Sequence, residues 1–422
     1  MRIALPSTPR WIIRLVVVTA LVGFGAGIGG GLVYLALHAI QHLAFGYSEG
    51  TFIDGLLQAP PVNRVVALAV AGVLGGVGWW ALRRWGRLQP KHAIVSVESA
   101  VGGRRMPWFV TIANAGLQVV IVGLGASIGR EVAPRELGAL AADWLSERAG
   151  VSARERRILV ACGAGAGLAA VYNVPFGGAV FAVEILLAEI SFATVLPALA
   201  SSAIATLVAR LVVPANPLYP IEQFPLSPSV VVWAVLAGPV IGLAAIGFVR
   251  LMQYAQAIRP KSWGILIVMP LVFTAVGVVS LWFPAILGNG RSLGQLAMTA
   301  SLPVLLILAI TLLKVFATAG TIGAGAAGGT LTPSLAVGAG LGLTIGAAWN
   351  LVWPGGAPIA VFALVGAAAF LAVTMRAPLT ALLLVMEFTA QGPDMFAPVM
   401  LCVAGAVAVG YLFERGRVTG VA

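Results

Sequence analysis

The sequence predicts an all-α integral membrane protein made of two related halves, with many short, tilted and broken helices. Three observations carry that reading. Of 422 residues, 60% are hydrophobic and only 9% are charged, whereas soluble domains carry about 25% charged residues. Apolar runs long enough to cross a bilayer, about 20 residues each, recur from end to end. A pair of motifs in the first half is restated at matching spacing in the second.

The first apolar run is Trp11–Ala36. Arg10 and Arg14 flank its start as they would in a signal peptide, but the run is too long for one and lacks a small-residue cleavage site. It therefore reads as a retained first helix. Val65–Leu82, Val230–Met252, Trp263–Phe283, Leu302–Ala319 and Phe396–Phe413 follow. The 52 glycines let membrane helices approach closely and allow backbone turns at membrane depth where a cavity is lined. Half-spanning helices are expected beside full ones.

The net charge of +11 comes from basic residues in loops and flanks, such as Arg83, Arg84, Arg87 and Lys91. It is a topology signal and not a nucleic-acid footprint. The excess places the N-terminus and the Arg83–Lys91 loop in the cytoplasm. Cys162 and Cys402 are too sparse for a disulfide framework or a metal site.

The internal repeat divides the single membrane domain, residues 1–422. Asn173-Val-Pro-Phe-Gly-Gly-Ala-Val-Phe-Ala-Val-Glu-Ile185 follows Gly129…Pro134 by about forty residues. Arg376-Ala-Pro-Leu-Thr-Ala-Leu-Leu-Leu-Val-Met-Glu-Phe388 follows Gly328-Gly-Thr-Leu-Thr-Pro333 at a similar interval. Pro175 to Glu184 and Pro378 to Glu387 are equally spaced. Transporters built from internal repeats place their ion site where such broken helices meet. The proline-rich stretch 214–229 separates a first repeat, 12–213, from a second, 230–413, with a short cytoplasmic tail at 414–422.

Both glycine turns lead to a proline, which is favoured in the first turn of a helix because its missing N–H costs nothing there. Each therefore reads as a loop-to-helix start, where bare N–H groups and the positive end of the helix dipole bind anions. Residues 129–132 (Gly129, Arg130, Glu131, Val132) and 330–332 (Thr330, Leu331, Thr332) can face one dehydrated anion. This arrangement needs no buried cation, so it can release what it binds. Glu131 is itself an anion amid small apolar residues, where an ionisable group costs roughly 2.5–3.5 kcal/mol and marks function by default. It can occupy the site and block it, or be protonated, swing aside and open it.

Gly129-Arg-Glu-Val-Ala-Pro134, Gly328-Gly-Thr-Leu-Thr-Pro333-Ser-Leu-Ala-Val-Gly-Ala339 and the two Pro…Glu helices, in this order and spacing, resemble the CLC family of chloride channels and chloride/proton antiporters. The resemblance covers about residues 12 to 413 and is specific in those four places. It implies a CLC-type inverted repeat, a homodimer with one pore per subunit, a gating glutamate at Glu131, and the multi-pass inner membrane of a bacterial-type cell. No C-terminal regulatory domain is expected.

Three departures bear on mechanism. The family's Gly-Ser-Gly-Ile-Pro aligns with Lys91-His92-Ala-Ile-Val95, so His92 falls where a serine touches the anion. An imidazole could donate to chloride there, or the register slips and His92 is a loop residue. The family's inward proton-relay glutamate is replaced by Ile185, which carries no proton. Glu184 and Glu387 sit where the family keeps a structural carboxylate, and Glu189 is a weaker relay candidate. The family's central tyrosine aligns near Thr419, with Tyr411 about two turns too early.

His38 and His42, spaced i, i+4, lack further ligands for a metal. No nucleotide, protease or Ser-His-Asp motif points to an enzyme, and no cofactor is implied. A receptor-like scaffold would need a ligand-binding or signalling domain. The expectation is CLC-type transport of chloride or a similar small halide, passive or weakly proton-coupled. The open alternatives are a chloride/proton antiporter using Glu189 or water, and a fluoride exporter of the same fold. Membrane lipids and a second copy are the other partners, protons enter only if flow is coupled, and nucleic acid is excluded.

Overall fold

The computed structural model describes the backbone of residues 9–418 and the side chains of residues 11–413. Seventeen α-helices fill it. The first nine are α1 (Pro9–Phe45), α2 (Phe52–Gln58), α3 (Pro61–Leu88), α4 (Val97–Val101), α5 (Trp108–Gly123), α6 (Val132–Arg148), α7 (Ala153–Tyr172), α8 (Pro175–Phe181) and α9 (Phe192–Ala209). A proline-interrupted irregular segment leads to α10 (Pro228–Ile258), α11 (Ile265–Val279), α12 (Arg291–Met298), α13 (Val304–Gly323), α14 (Leu331–Val352), α15 (Ile359–Met375), α16 (Pro378–Thr389) and α17 (Phe396–Val418).

Among the described residues, seven helical spans are long and apolar enough to cross a membrane. Two of them, Phe192–Ala209 and Leu331–Val352, do not stand out as apolar runs in the sequence, because alanine, glycine and hydroxyl residues dilute their hydropathy. The run Trp263–Phe283 is shorter than expected. Only Ile265–Val279 is helical, about 22 Å at 1.5 Å per residue against a core of about 30 Å. Pro284 follows and starts a separate short turn. At the other end, α17 continues through Val418, into the stretch 414–422. Thr419 lies outside the described residues.

The two halves repeat each other in local conformation. Asn173 (φ 58°) ends α7 and Arg376 (φ 54°) ends α15, both left-handed, and each precedes a helix that starts at proline. Ala188 (φ 51°) and Ala390 (φ 49°) close those proline-started segments in the same conformation. The first segment runs fourteen residues from Pro175 to Ala188 and the second thirteen, from Pro378 to Ala390. A π-helical turn over Ala182–Leu187, which takes in one extra residue, accounts for the difference.

The chain forms two compact units. One comprises residues up to Tyr34, Lys91–Ala113 and Pro134–Ala215, and the other comprises Leu35–Pro90, Asn114–Ala133 and residues from Asn216 onward. In the first unit, α7 is buried without a break from Ile158 to Tyr172. Its Gly163 meets the backbone of Gly138 on α6, where a methyl group on either would overlap the other's carbonyl. Asp143, almost wholly buried, binds Arg156 at 2.6 Å and Arg105 at 3.0 Å. In the second unit, α14 lies against α15, which is buried from Val361 to Ala372. Gly338 and Gly366 give the room for that approach.

Candidate functional site

The site lies wholly within the second unit. It is assembled from two glycine turns and the first residues that follow each of them. Gly125 (φ 101°) and Gly325 (φ 108°) open the turns in a left-handed conformation that side chains disfavour. The helices start at Val132 and Leu331, so Pro134 and Pro333 both stand third, within the first turn. The turns are tied to each other by a reciprocal pair of bonds. The Gly129 N–H donates to the Gly329 carbonyl at 2.8 Å, and the Gly329 N–H donates back to Gly129 at 3.1 Å. Neighbouring segments hold each turn from outside. The Gly288 N–H donates to Gly125 at 2.8 Å, and Arg83 donates to the Gly325 carbonyl at 2.7 Å.

Glu131 follows this bridge directly and is 1% exposed. One carboxylate oxygen accepts from the Leu331 N–H at 2.7 Å, and the other accepts from the Thr332 hydroxyl at 3.1 Å. The carboxylate therefore caps the start of α14, a helix of 22 residues. There it meets N–H groups that have no partner inside the helix and a partial positive charge of roughly half a unit. A Cβ on Gly129 or Gly329 would overlap the carboxylate. Both positions thus lack a side chain where the acid needs the space.

Of the residues expected to line the site, these contacts bring together Gly129, Glu131, Leu331 and Thr332. Arg130 is buried, and Val132 is half-buried at the first position of α6. Thr330 is the N-cap residue of α14, without a side-chain capping bond. His92 is half-buried in the first unit, at the end of a one-turn 3-10 helix, Pro90–His92.

The sequence reading missed Lys314. This lysine on α13 is fully buried. Its ammonium donates to the Ser127 hydroxyl at 2.9 Å and to the carbonyls of Ile286 at 2.9 Å and Gly288 at 2.6 Å. Ser127 in turn shares a hydrogen bond with Thr318 at 3.3 Å. One cation thus cross-links the first glycine turn to the segment ahead of α12. The signal was legible, because an ionisable residue inside an apolar span marks function by the same argument applied to Glu131.

The residues weighed as proton carriers lie in the first unit. Ile185 is half-buried within the π-helical turn, beside the half-buried Glu184. Glu189 pairs with Arg154 at 3.1 Å in a largely exposed contact. His38 and His42 stand edge to face with ring centroids 6.2 Å apart, and His42 packs on Tyr47 at 4.6 Å. Among the described residues no three His, Cys, Asp or Glu side chains group as a metal site would.

The family model for the voltage-gated chloride channel matches residues 74–411. This chain belongs to that family, the CLC proteins. A voltage-gated ClC-type chloride channel, ClcB, from Citrobacter koseri is 29% identical over 381 residues, covering 88% of this chain and 90% of that one. A ClcB from Escherichia coli O17:K52:H18 is 27% identical over 380 residues, with the same coverage. Two solved structures share the fold. A slow cyanobacterial Cl⁻/H⁺ antiporter superposes with a TM-score of 0.81 at 21% identity over 95% of both chains. A CLC-type fluoride/proton antiporter superposes with a TM-score of 0.76 at 18% identity, over 96% of this chain and 97% of that one. The CLC fold, with its two related halves, is thus shared across chloride and fluoride proteins.

Proposed function

We propose that this CLC protein carries chloride, or a similar small halide, through the site at the start of α14, with Glu131 as its gate. One observation supports this above the rest. A buried carboxylate already sits in an anion's place, held by the Leu331 N–H and the Thr332 hydroxyl within a cradle of two glycines. A chloride and a carboxylate about 4 Å apart would repel by about 4 kcal/mol at an effective dielectric constant of about 20. The start of α14 therefore holds one or the other. Protonating Glu131 removes its charge and leaves the N–H donors to the passing ion.

Flow is passive or weakly proton-coupled in this reading, because Ile185 offers no acid where the family relays protons and Glu189 is engaged by Arg154. A proton-coupled antiporter, with Glu189 or water carrying the proton, is the alternative. A fluoride exporter is a further one. Both the cyanobacterial antiporter and the fluoride/proton antiporter share the fold. The protein is a transporter and not an enzyme, and it works as a homodimer with one pore per subunit. The basic end of α3 with Lys91, and the N-terminus, face the cytoplasm across the inner membrane. His92 stays a candidate for an inner contact to the anion, with Thr330, Arg130 and Val132 around the gate.

Chloride efflux from proteoliposomes, measured for the wild type and for Glu131→Gln at several pH values, tests the proposal. Identical rates and identical pH profiles would refute the gate.

A further inference from the structure

The transport reading leaves unused the outward face of α3 and the basic end that it runs into. Val66, Val70, Val73 and Val77 are all exposed, and their spacing of three or four residues sets them in one stripe along the helix. Trp80 and Arg84 continue that spacing, with the Arg84 guanidinium 5.5 Å from the centroid of the Trp80 ring. The stripe is thus apolar, then aromatic, then cationic toward the end of α3. A bilayer leaflet changes in the same order, from acyl chains through the interface where tryptophan settles to the charged headgroups.

Helix α11 completes the surface. It packs antiparallel to α3, since Gly76 faces the Ile265 carbonyl and Gly72 faces Met269 and Pro270. That register sets the segment just before α11, with Lys261 and Trp263, beside the last turns of α3. Arg87 spans the two by donating to the Lys261 carbonyl at 3.1 Å. Trp263, Ile267 and Leu271 are exposed, as the valines are.

Five cations collect at this end: Arg83, Arg84, Arg87, Arg259 and Lys261. Neither residues 83–90 nor residues 253–264 contain an acid. Arg83 turns inward, onto the Gly325 carbonyl, while Arg84, Arg87 and Lys261 are exposed. Among the described residues, no salt bridge takes Arg84, Arg87, Arg259 or Lys261. A second copy of the chain fits this face badly, because a two-fold contact would set the cations against their own images. A bare inorganic anion would use the cations and leave the apolar stripe without a partner.

We propose that the outward seam of α3 and α11 binds an anionic phospholipid at its basic end. Arg84, Arg87 and Lys261 donate to the headgroup phosphate, Trp80 and Trp263 lie at the level of the ester groups, and the acyl chains run along the valine stripe. Clusters of Lys and Arg at the end of a membrane helix attract anionic headgroups. The paired donors of a guanidinium match phosphate oxygens.

The test uses the full chain, purified in detergent and exchanged into nanodiscs that hold phosphatidylcholine and phosphatidylglycerol in equal amounts. Each cation near an anionic headgroup favours binding by about fivefold, so native mass spectrometry should show phosphatidylglycerol retained at least that strongly over phosphatidylcholine. The triple variant Arg84→Gln/Arg87→Gln/Lys261→Gln should lose the preference, while Arg104→Gln, at an exposed arginine of the first unit, should keep it. A photoactivatable phosphatidylglycerol added to the wild type should label peptides containing residues 73–87 and 261–271, a readout that stands even if the triple variant fails to fold. Equal retention of the two lipids, an unchanged preference in the triple variant, or labelling confined to other helices would overturn the proposal. Glycerol phosphate at millimolar concentration should leave the lipid in place, and displacement would show that the cations alone make the site.

Discussion

The Glu131 carboxylate accepts a hydrogen bond at 2.7 Å from the N–H of Leu331, two hundred residues further along the chain. That contact places an acid where helix α14 would otherwise present its unpaired donors to an anion. In the proposed mechanism, flow turns on how firmly that acid is held and what displaces it.

Replacing Glu131 with glutamine keeps the shape and removes the charge. Chloride flux through Glu131→Gln in proteoliposomes should stay flat within about twofold between pH 5 and pH 7.5. The wild type should speed up as pH falls, because protonation does to the acid what the substitution does permanently. A variant that keeps the wild-type slope would show that another group gates the path.

Gly329 tests the cradle from the other side. A methyl group there overlaps the Glu131 carboxylate, so Gly329→Ala should expel the acid from the start of α14 at a cost of roughly 1–3 kcal/mol for overpacking. The variant should resemble Glu131→Gln in its flattened pH profile while folding less stably. Flux and thermal denaturation measured on the same preparation check both parts.

Lys314 makes three hydrogen bonds with no exposure to solvent. Hydrogen bonds to a charged donor contribute about 1.5–3 kcal/mol each, and stranded acceptors add a further penalty. Lys314→Met should lower stability in detergent by about 3 kcal/mol or more, read by denaturant titration. It should also weaken chloride binding by calorimetry, since it removes a positive charge tied to the first glycine turn through Ser127. A variant as stable as the wild type would mean that the lysine contributes nothing net to the fold.

Coupling is decided by measuring both ions together. With a tenfold chloride gradient across the vesicle, about 1.4 kcal/mol of driving force, passive flow should move no protons uphill, as followed by a pH-sensitive dye. Protons moving in a fixed ratio to chloride would establish the antiporter reading and point to Glu189 or water as the carrier.

Much of the architecture was legible because membrane burial writes itself into composition. Long apolar runs gave five of the seven helical spans found among the described residues. Proline three places into α6 and α14 gave the helix starts, and matched Pro…Glu spacing gave the repeat. The short α11 was not legible, since hydropathy marks what can lie in lipid and not where the chain turns. The π-helical turn at Ala182–Leu187 was equally silent, because one extra residue in a helix changes no local pattern.

By itself the sequence determined that Glu131 is an exceptional acid beside a helix start, since charge in an apolar run is expensive wherever it falls. Only the tertiary structure decided that its partner is Leu331, that Gly129 and Gly329 bridge the two turns, and that Lys314 anchors one of them. Hydrogen bonds between segments far apart in the chain depend on how the backbone folds back on itself, and no local spacing encodes that return.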